Sequence, residues 1–129
     1  MPRYVLVADD EPFIRRSLAF IFERSGYEVR TFANSQAALD LITSDAPAIG
    51  YLIADARLPT HGGLALVEHA REAGYAGPFM ILGARGDSGL AAQQEAAEAQ
   101  GGTWLCKPFA PSRLVEEVKA SFPPESSSG

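Results

Sequence analysis

Tyr51-Leu52-Ile53-Ala54-Asp55-Ala56-Arg57-Leu58-Pro59 is a short apolar run that ends in an acid and a turn. Two other stretches have the same form. Tyr4-Val5-Leu6-Val7-Ala8 ends in Asp9-Asp10-Glu11-Pro12, and Thr103-Trp104-Leu105-Cys106 ends in Lys107-Pro108-Phe109. Apolar runs of this length, bounded by turn signals and alternating with helical patterns, predict parallel strands in a βα repeat. In such a sheet the carboxyl ends of the strands open on one edge, where ligands bind. The repeat therefore brings Asp9, Asp10, Asp55 and Lys107 toward one pocket.

Working outward, strands are expected near 3–8, 27–32, 49–54, 78–83 and 103–106, and helices near 12–25, 35–44, 63–73, 88–100 and 111–122. The first helix is the clearest. Ile14, Leu18, Ile21 and Phe22 recur at helical spacing, Arg15, Arg16, Glu23 and Arg24 lie elsewhere, and Gly26 stops it. Asn34 or Ser35 caps the second helix, which buries Ala38, Leu41 and Ile42. Gly62-Gly63 open the third, with Leu66, Val67 and Ala70 facing inward. The fourth is rich in alanine, with Leu90 as its one large apolar residue, and is expected to be the least firmly docked. The fifth begins at Pro111 and offers Leu114, Val115 and Val118. Five alternating βα units mean an α/β fold with helices on both faces of a parallel sheet.

The chain has 129 residues, enough for one domain with a single core. Residues 1–122 are expected to form it, and 123–129, rich in Pro and Ser, to be a flexible tail or linker stub. A net charge of −5 argues against non-specific binding to nucleic acid or an anionic membrane. The lone Cys106 excludes an internal disulfide and fits a reducing compartment. Met1-Pro2-Arg3 leads straight into a strand, with no signal-peptide pattern, so the expected location is cytoplasmic.

Taken singly, each charged residue has a plain structural role. An Asp after a strand forms a turn, an Asp-Asp pair caps a helix, and Lys-Pro is surface loop. The joint placement carries the chemistry. Clustered carboxylates repel and cannot all stay ionised without compensation. An all-oxygen site of this kind suits Mg²⁺, which keeps several waters.

These motifs resemble the receiver domain of bacterial two-component response regulators, of the chemotaxis-receiver type. The matching segments are Val5 to Pro12, Leu52 to Pro59, Gly62-Gly63-Leu64 and Trp104 to Phe109. The resemblance runs from residue 3 to about 122. It implies a flavodoxin-like doubly wound (βα)5 fold with strand order 2-1-3-4-5. It also implies that Asp55 accepts phosphate from a kinase phosphohistidine. Asp10, Asp9, Asp55 and the Arg57 backbone carbonyl would hold Mg²⁺. Lys107, joined to Pro108 by a cis peptide, would pair with Asp55 or the phosphoryl oxygens, and the Ala84 N–H would donate to a phosphoryl oxygen. Arg57 and Arg85 occupy positions that flank the phosphoryl site in the family. The implied partners are a sensor histidine kinase or phosphotransfer protein, and a downstream protein or fused output domain. The face formed by the fourth helix, fifth strand and fifth helix is the implied interaction and homodimer surface. Such a domain assists its own phosphorylation and dephosphorylation and is not a dedicated enzyme.

Two positions depart from the pattern. The family usually places Thr or Ser where this chain has Gly83, and Tyr or Phe where it has Trp104. Either Gly83 merely relieves crowding, or the hydroxyl-driven part of the switch is lost or remade. The larger indole of Trp104 either rotates inward less easily than Tyr or Phe, or moves into the space that the missing side chain vacates. The alternative function is therefore a pseudo-receiver, a binding module with weak or absent phosphorylation-driven switching. A hydrolase with an aspartyl-phosphate intermediate fits poorly, because Arg57 stands where that chemistry wants a carboxylate. An FMN-binding protein fits poorly too, because Asp9-Asp10-Glu11 would repel a phosphate. Cys106 reads as a small core hydrophobe. His61 and His69 read as surface residues without a partner at metal-ligand spacing. Glu11 reads as support for the start of the first helix.

Overall fold

A computed structural model of the chain describes residues 3–59, 61–84 and 88–124. Arg85 and the end of the expected tail, from 125 onward, lie outside these residues. The elements run in strict alternation. They are β1 (Tyr4–Ala8), α1 (Pro12–Arg24), β2 (Glu28–Phe32), α2 (Ser35–Asp45), β3 (Ile49–Asp55), α3 (Gly63–Glu72), β4 (Phe79–Ala84), α4 (Ala91–Ala99), β5 (Thr103–Lys107) and α5 (Pro111–Ser121). All strand pairings are parallel, in the order β2-β1-β3-β4-β5.

Strand alternation divides the interior into two cores. Leu6, Ala8, Leu52, Ala54 and Ile81 face α2, α3 and α4, meeting Ala38, Ile42, Leu66, Val67, Ala70 and Ala97. Val5, Val7, Ile53, Met80 and Leu82 face α1 and α5, meeting Leu18, Phe22, Leu114 and Val118. A parallel sheet covered on both faces needs near-continuous apolar strands, and β1 and β3 are buried at every residue. β2 is the half-exposed edge strand, and β5 closes the other edge.

The helix boundaries follow local chemistry. Pro12 and Pro111 occupy first turns. Asn34 is the cap of α2, its side chain accepting from the Ala37 N–H at 2.9 Å. Ser35 does something else. Its hydroxyl donates to the Pro59 carbonyl at 3.1 Å and its N–H donates to the same oxygen at 2.8 Å. The expected fourth helix, 88–100, divides into a 3-10 turn, Ser88–Leu90, followed by α4. Only Ala97 is buried within α4. Small side chains leave this helix little area to bury.

Candidate functional site

The site forms at the carboxyl edge of β1, β3 and β5. β1 delivers Asp9, fully buried, and the exposed Asp10. β3 ends in Asp55, which is 8% exposed. The backbone after Asp55 is fixed by its own hydrogen bonds. Ala56 N–H donates to the Leu82 carbonyl at 2.8 Å, Leu58 N–H to the Asp55 carbonyl at 3.1 Å, and Gly62 N–H to the Leu58 carbonyl at 2.8 Å. The two glycines let α3 start directly beneath this turn. Gly62 has φ +84°, and a Cβ on Gly63 would lie 2.5 Å from the Asp55 carbonyl oxygen.

One carboxylate oxygen from each of Asp9, Asp10 and Asp55 lies within 4.8 Å of the others. Lys107 serves all but one of the local acids. Its Nζ is 3.2 Å from Asp9 Oδ2, 3.5 Å from Asp55 Oδ2 and 3.9 Å from Glu11 Oε2. The expected pairing with Asp55 is present, and Asp9 stands closer still. The Lys107–Pro108 peptide is cis. Asp9 is further held by the Glu11 N–H, which donates to Oδ1 at 2.9 Å. Glu11 makes no side-chain cap on α1. It contributes its backbone to Asp9 and its carboxylate to Lys107.

These contacts pull proton affinities in opposite directions. Burial pushes the Asp9 carboxyl above its usual value, against the Glu11 N–H and Lys107, and the neighbouring Asp55 adds to the rise. Burial works against the Lys107 ammonium, but Asp55 and Asp9 outweigh it and hold its pKa above the ordinary lysine value. The carboxylate oxygens are hard donors at a spacing that one hydrated divalent cation would bridge.

Arg57 donates its backbone N–H to Asp55 Oδ1 at 3.3 Å. Ala84 is exposed and stands opposite Lys107 in the β4–β5 register. Gly83 stands opposite Cys106, yet its α-carbon faces the Trp104 ring. A Cβ at position 83 would fall 2.8 Å from the indole Nε1 and closer still to Cζ2 and Cε2. The indole thus lies across the space that a side chain at 83 would need.

Arg15 belongs to the site and was not singled out from sequence. Its guanidinium reaches back from α1 to donate to the Asp9 carbonyl at 2.8 Å. The signal was available, since Arg15 follows Asp9 by six residues and lies off the apolar stripe. His61 and His69 also differ from expectation. Their rings meet edge to face with centroids 5.6 Å apart, and His69 is half-buried. The β3–α3 connection turns one back onto the other, which linear spacing conceals.

The response regulator receiver domain model matches residues 5–119. The chain is 33% identical over 120 residues to the response regulator MprA of Mycolicibacterium vanbaalenii, covering 93% of this chain and 50% of that protein. It is 31% identical over 120 residues to the transcriptional regulatory protein SrrA of Staphylococcus aureus, covering 93% and 48%. The chain therefore spans about half the length of these curated relatives. A response regulator receiver domain protein from Clostridium thermocellum superposes with a TM-score of 0.83 at 25% identity, covering 92% of this chain and 93% of that one. Nothing in these likenesses favours the pseudo-receiver alternative.

Proposed function

Since the chain belongs to the response regulator receiver domain family, the phosphoacceptors of two-component signalling, we propose that Asp55 is the residue that takes the phosphate. The observation that carries this is the meeting of Asp9, Asp10 and Asp55 within 4.8 Å at one sheet edge, with Lys107 against them. The donor is a phosphohistidine of a sensor kinase or phosphotransfer protein. An Asp55 carboxylate oxygen attacks phosphorus, the P–N bond breaks, and the leaving imidazole keeps the bonding electron pair and takes up a proton. The product is an aspartyl phosphate. Lys107 then exchanges a carboxylate contact for a charge-assisted bond to a phosphoryl oxygen, and the Ala84 N–H donates to another. Asp9, Asp10, Asp55 and the Arg57 carbonyl would hold Mg²⁺, which when bound neutralises charge on the transferred group. The domain, residues 1–122, assists this transfer and the later hydrolysis on itself.

Two surfaces divide the partners. A groove of about 750 Å³ runs from Lys107 and Ala84 along α1, past Phe13, Ile14 and Ile21. Phe13 and Phe20, 71% and 59% exposed, stand on α1. A donor protein reaching Asp55 would cover this groove. The face of α4, β5 and α5, with exposed Glu95, Glu98 and Lys119, would meet the output partner, a fused output domain or a second copy. No described helix is long and apolar enough to cross a membrane, and the lone cysteine fits the proposed cytoplasmic location.

Intact mass after treatment with acetyl phosphate and Mg²⁺ tests the central assignment. Wild type should gain one phosphoryl group and Asp55→Asn none. A persisting adduct in Asp55→Asn would place the acceptor elsewhere.

A further inference from the structure

We propose that His61 and His69 form a binding site for one late first-row divalent cation, Zn²⁺ in particular, between α2 and α3 and apart from the aspartate cluster. The two imidazoles stand edge to face with centroids 5.6 Å apart. His69 Nδ1 is shielded from solvent and has no hydrogen-bond partner among the described residues. A buried ring nitrogen left unpaired calls for an explanation, and an ion is one of the few available. The rings line a recess of about 370 Å³ shared with Gln36, Thr43 and Glu72. Glu72 follows His69 by three residues on α3, so its carboxylate rises on the same side of the helix.

The backbone around the two rings is held in place. The His61 N–H donates to Ser35 Oγ at 3.2 Å, and the Ser35 hydroxyl donates to the Pro59 carbonyl at 3.1 Å. α3 is anchored by buried Leu66, Val67 and Ala70. Zn–N bonds of about 2.0–2.1 Å from two rings this close require side-chain rotation and no backbone movement. Glu72 would turn toward the ion to join the two rings, and water would complete the coordination. Ligand softness separates this site from the aspartates, because imidazole selects Zn²⁺ while carboxylate and water suit Mg²⁺. An ion here would pin the β3–α3 connection, six residues after Asp55, to the body of α3.

Zn²⁺ titration calorimetry on the full chain, in excess Mg²⁺ to occupy the aspartates, tests the site. Wild type should bind one Zn²⁺. His61→Gln and His69→Gln should each weaken binding about tenfold or more, with Asp10→Asn and Cys106→Ser unchanged. Ring nitrogen NMR should show both imidazoles perturbed by Zn²⁺. His61 is exposed, so its variant keeps the test valid should His69→Gln unfold. Absence of Zn²⁺ binding, unaltered affinity in His61→Gln, or loss of binding in Asp10→Asn or Cys106→Ser would overturn the proposal.

Discussion

Gly83 and Trp104 act as one unit, because the indole fills the volume that any larger residue at 83 would claim. Gly83→Thr must displace the ring, and overpacking of this kind costs about 1–3 kcal/mol. The variant should lose stability and change Trp emission without any phosphoryl analogue present. Adding Trp104→Ala should remove most of the clash, measured as a double-mutant cycle in urea. Equal penalties for Gly83→Thr in both backgrounds would separate the two residues. Asp9 makes a second case. Its folded pKa is raised, chiefly by burial, so its contribution to stability is fully present below the unfolded value of about 3.9 and is lost as pH rises through the folded value. Asp9→Asn should therefore raise the thermal midpoint at pH 7 without divalent cation, and the gain should shrink toward pH 4 in thermal melts. A lowered midpoint at pH 7 would mean that the Lys107 pair outweighs burial. The meeting of Asp9, Asp10, Asp55 and Lys107 at one sheet edge was legible in sequence because each ends or directly follows a strand. The closer approach of Lys107 to Asp9 than to Asp55 was not, because it depends on side-chain placement in the folded chain.

Among the elements, the start of α3 sets the position of the acceptor. Gly63 leaves no room for a methyl group against the Asp55 carbonyl. Gly63→Ala should destabilise the fold by about 1–3 kcal/mol and lower the yield of acetyl phosphate labelling, read by denaturant melts and intact mass. Unchanged stability would show that the turn has slack. Strands and helices were read to within a few residues, since buried runs and amphipathic periods are local signals. The division at Leu90 was not read. Alanine favours helix throughout this segment and conceals the change. Asn34 and Ser35 were both read as possible caps because both residue types suit one, and Asn34 is the cap. Only the folded position of Pro59 gives the Ser35 hydroxyl a different acceptor.

The molecule as a whole keeps its two proposed partner surfaces on different helices. Phe13→Ala should slow phosphorylation by a donor protein while leaving acetyl phosphate labelling intact, because it touches docking and not the acceptor. Glu95→Lys with Glu98→Lys should weaken output binding and spare both labelling reactions. Loss of acetyl phosphate labelling in either variant would argue against this division. The strand order followed from the family resemblance, whereas the exposed Phe13 and Phe20 emerged only when α1 had been placed with its apolar stripe already spent on the core. The sheet itself has a larger consequence. It is a partition between two interiors, with α1 and α5 rooted in one and α2, α3 and α4 in the other. Substitutions that retune one interior share few neighbours with those that retune the other, so their effects on stability should add. Such a chain is free to repack the interior beneath α2, α3 and α4 while the one beneath α1 and α5 stands still.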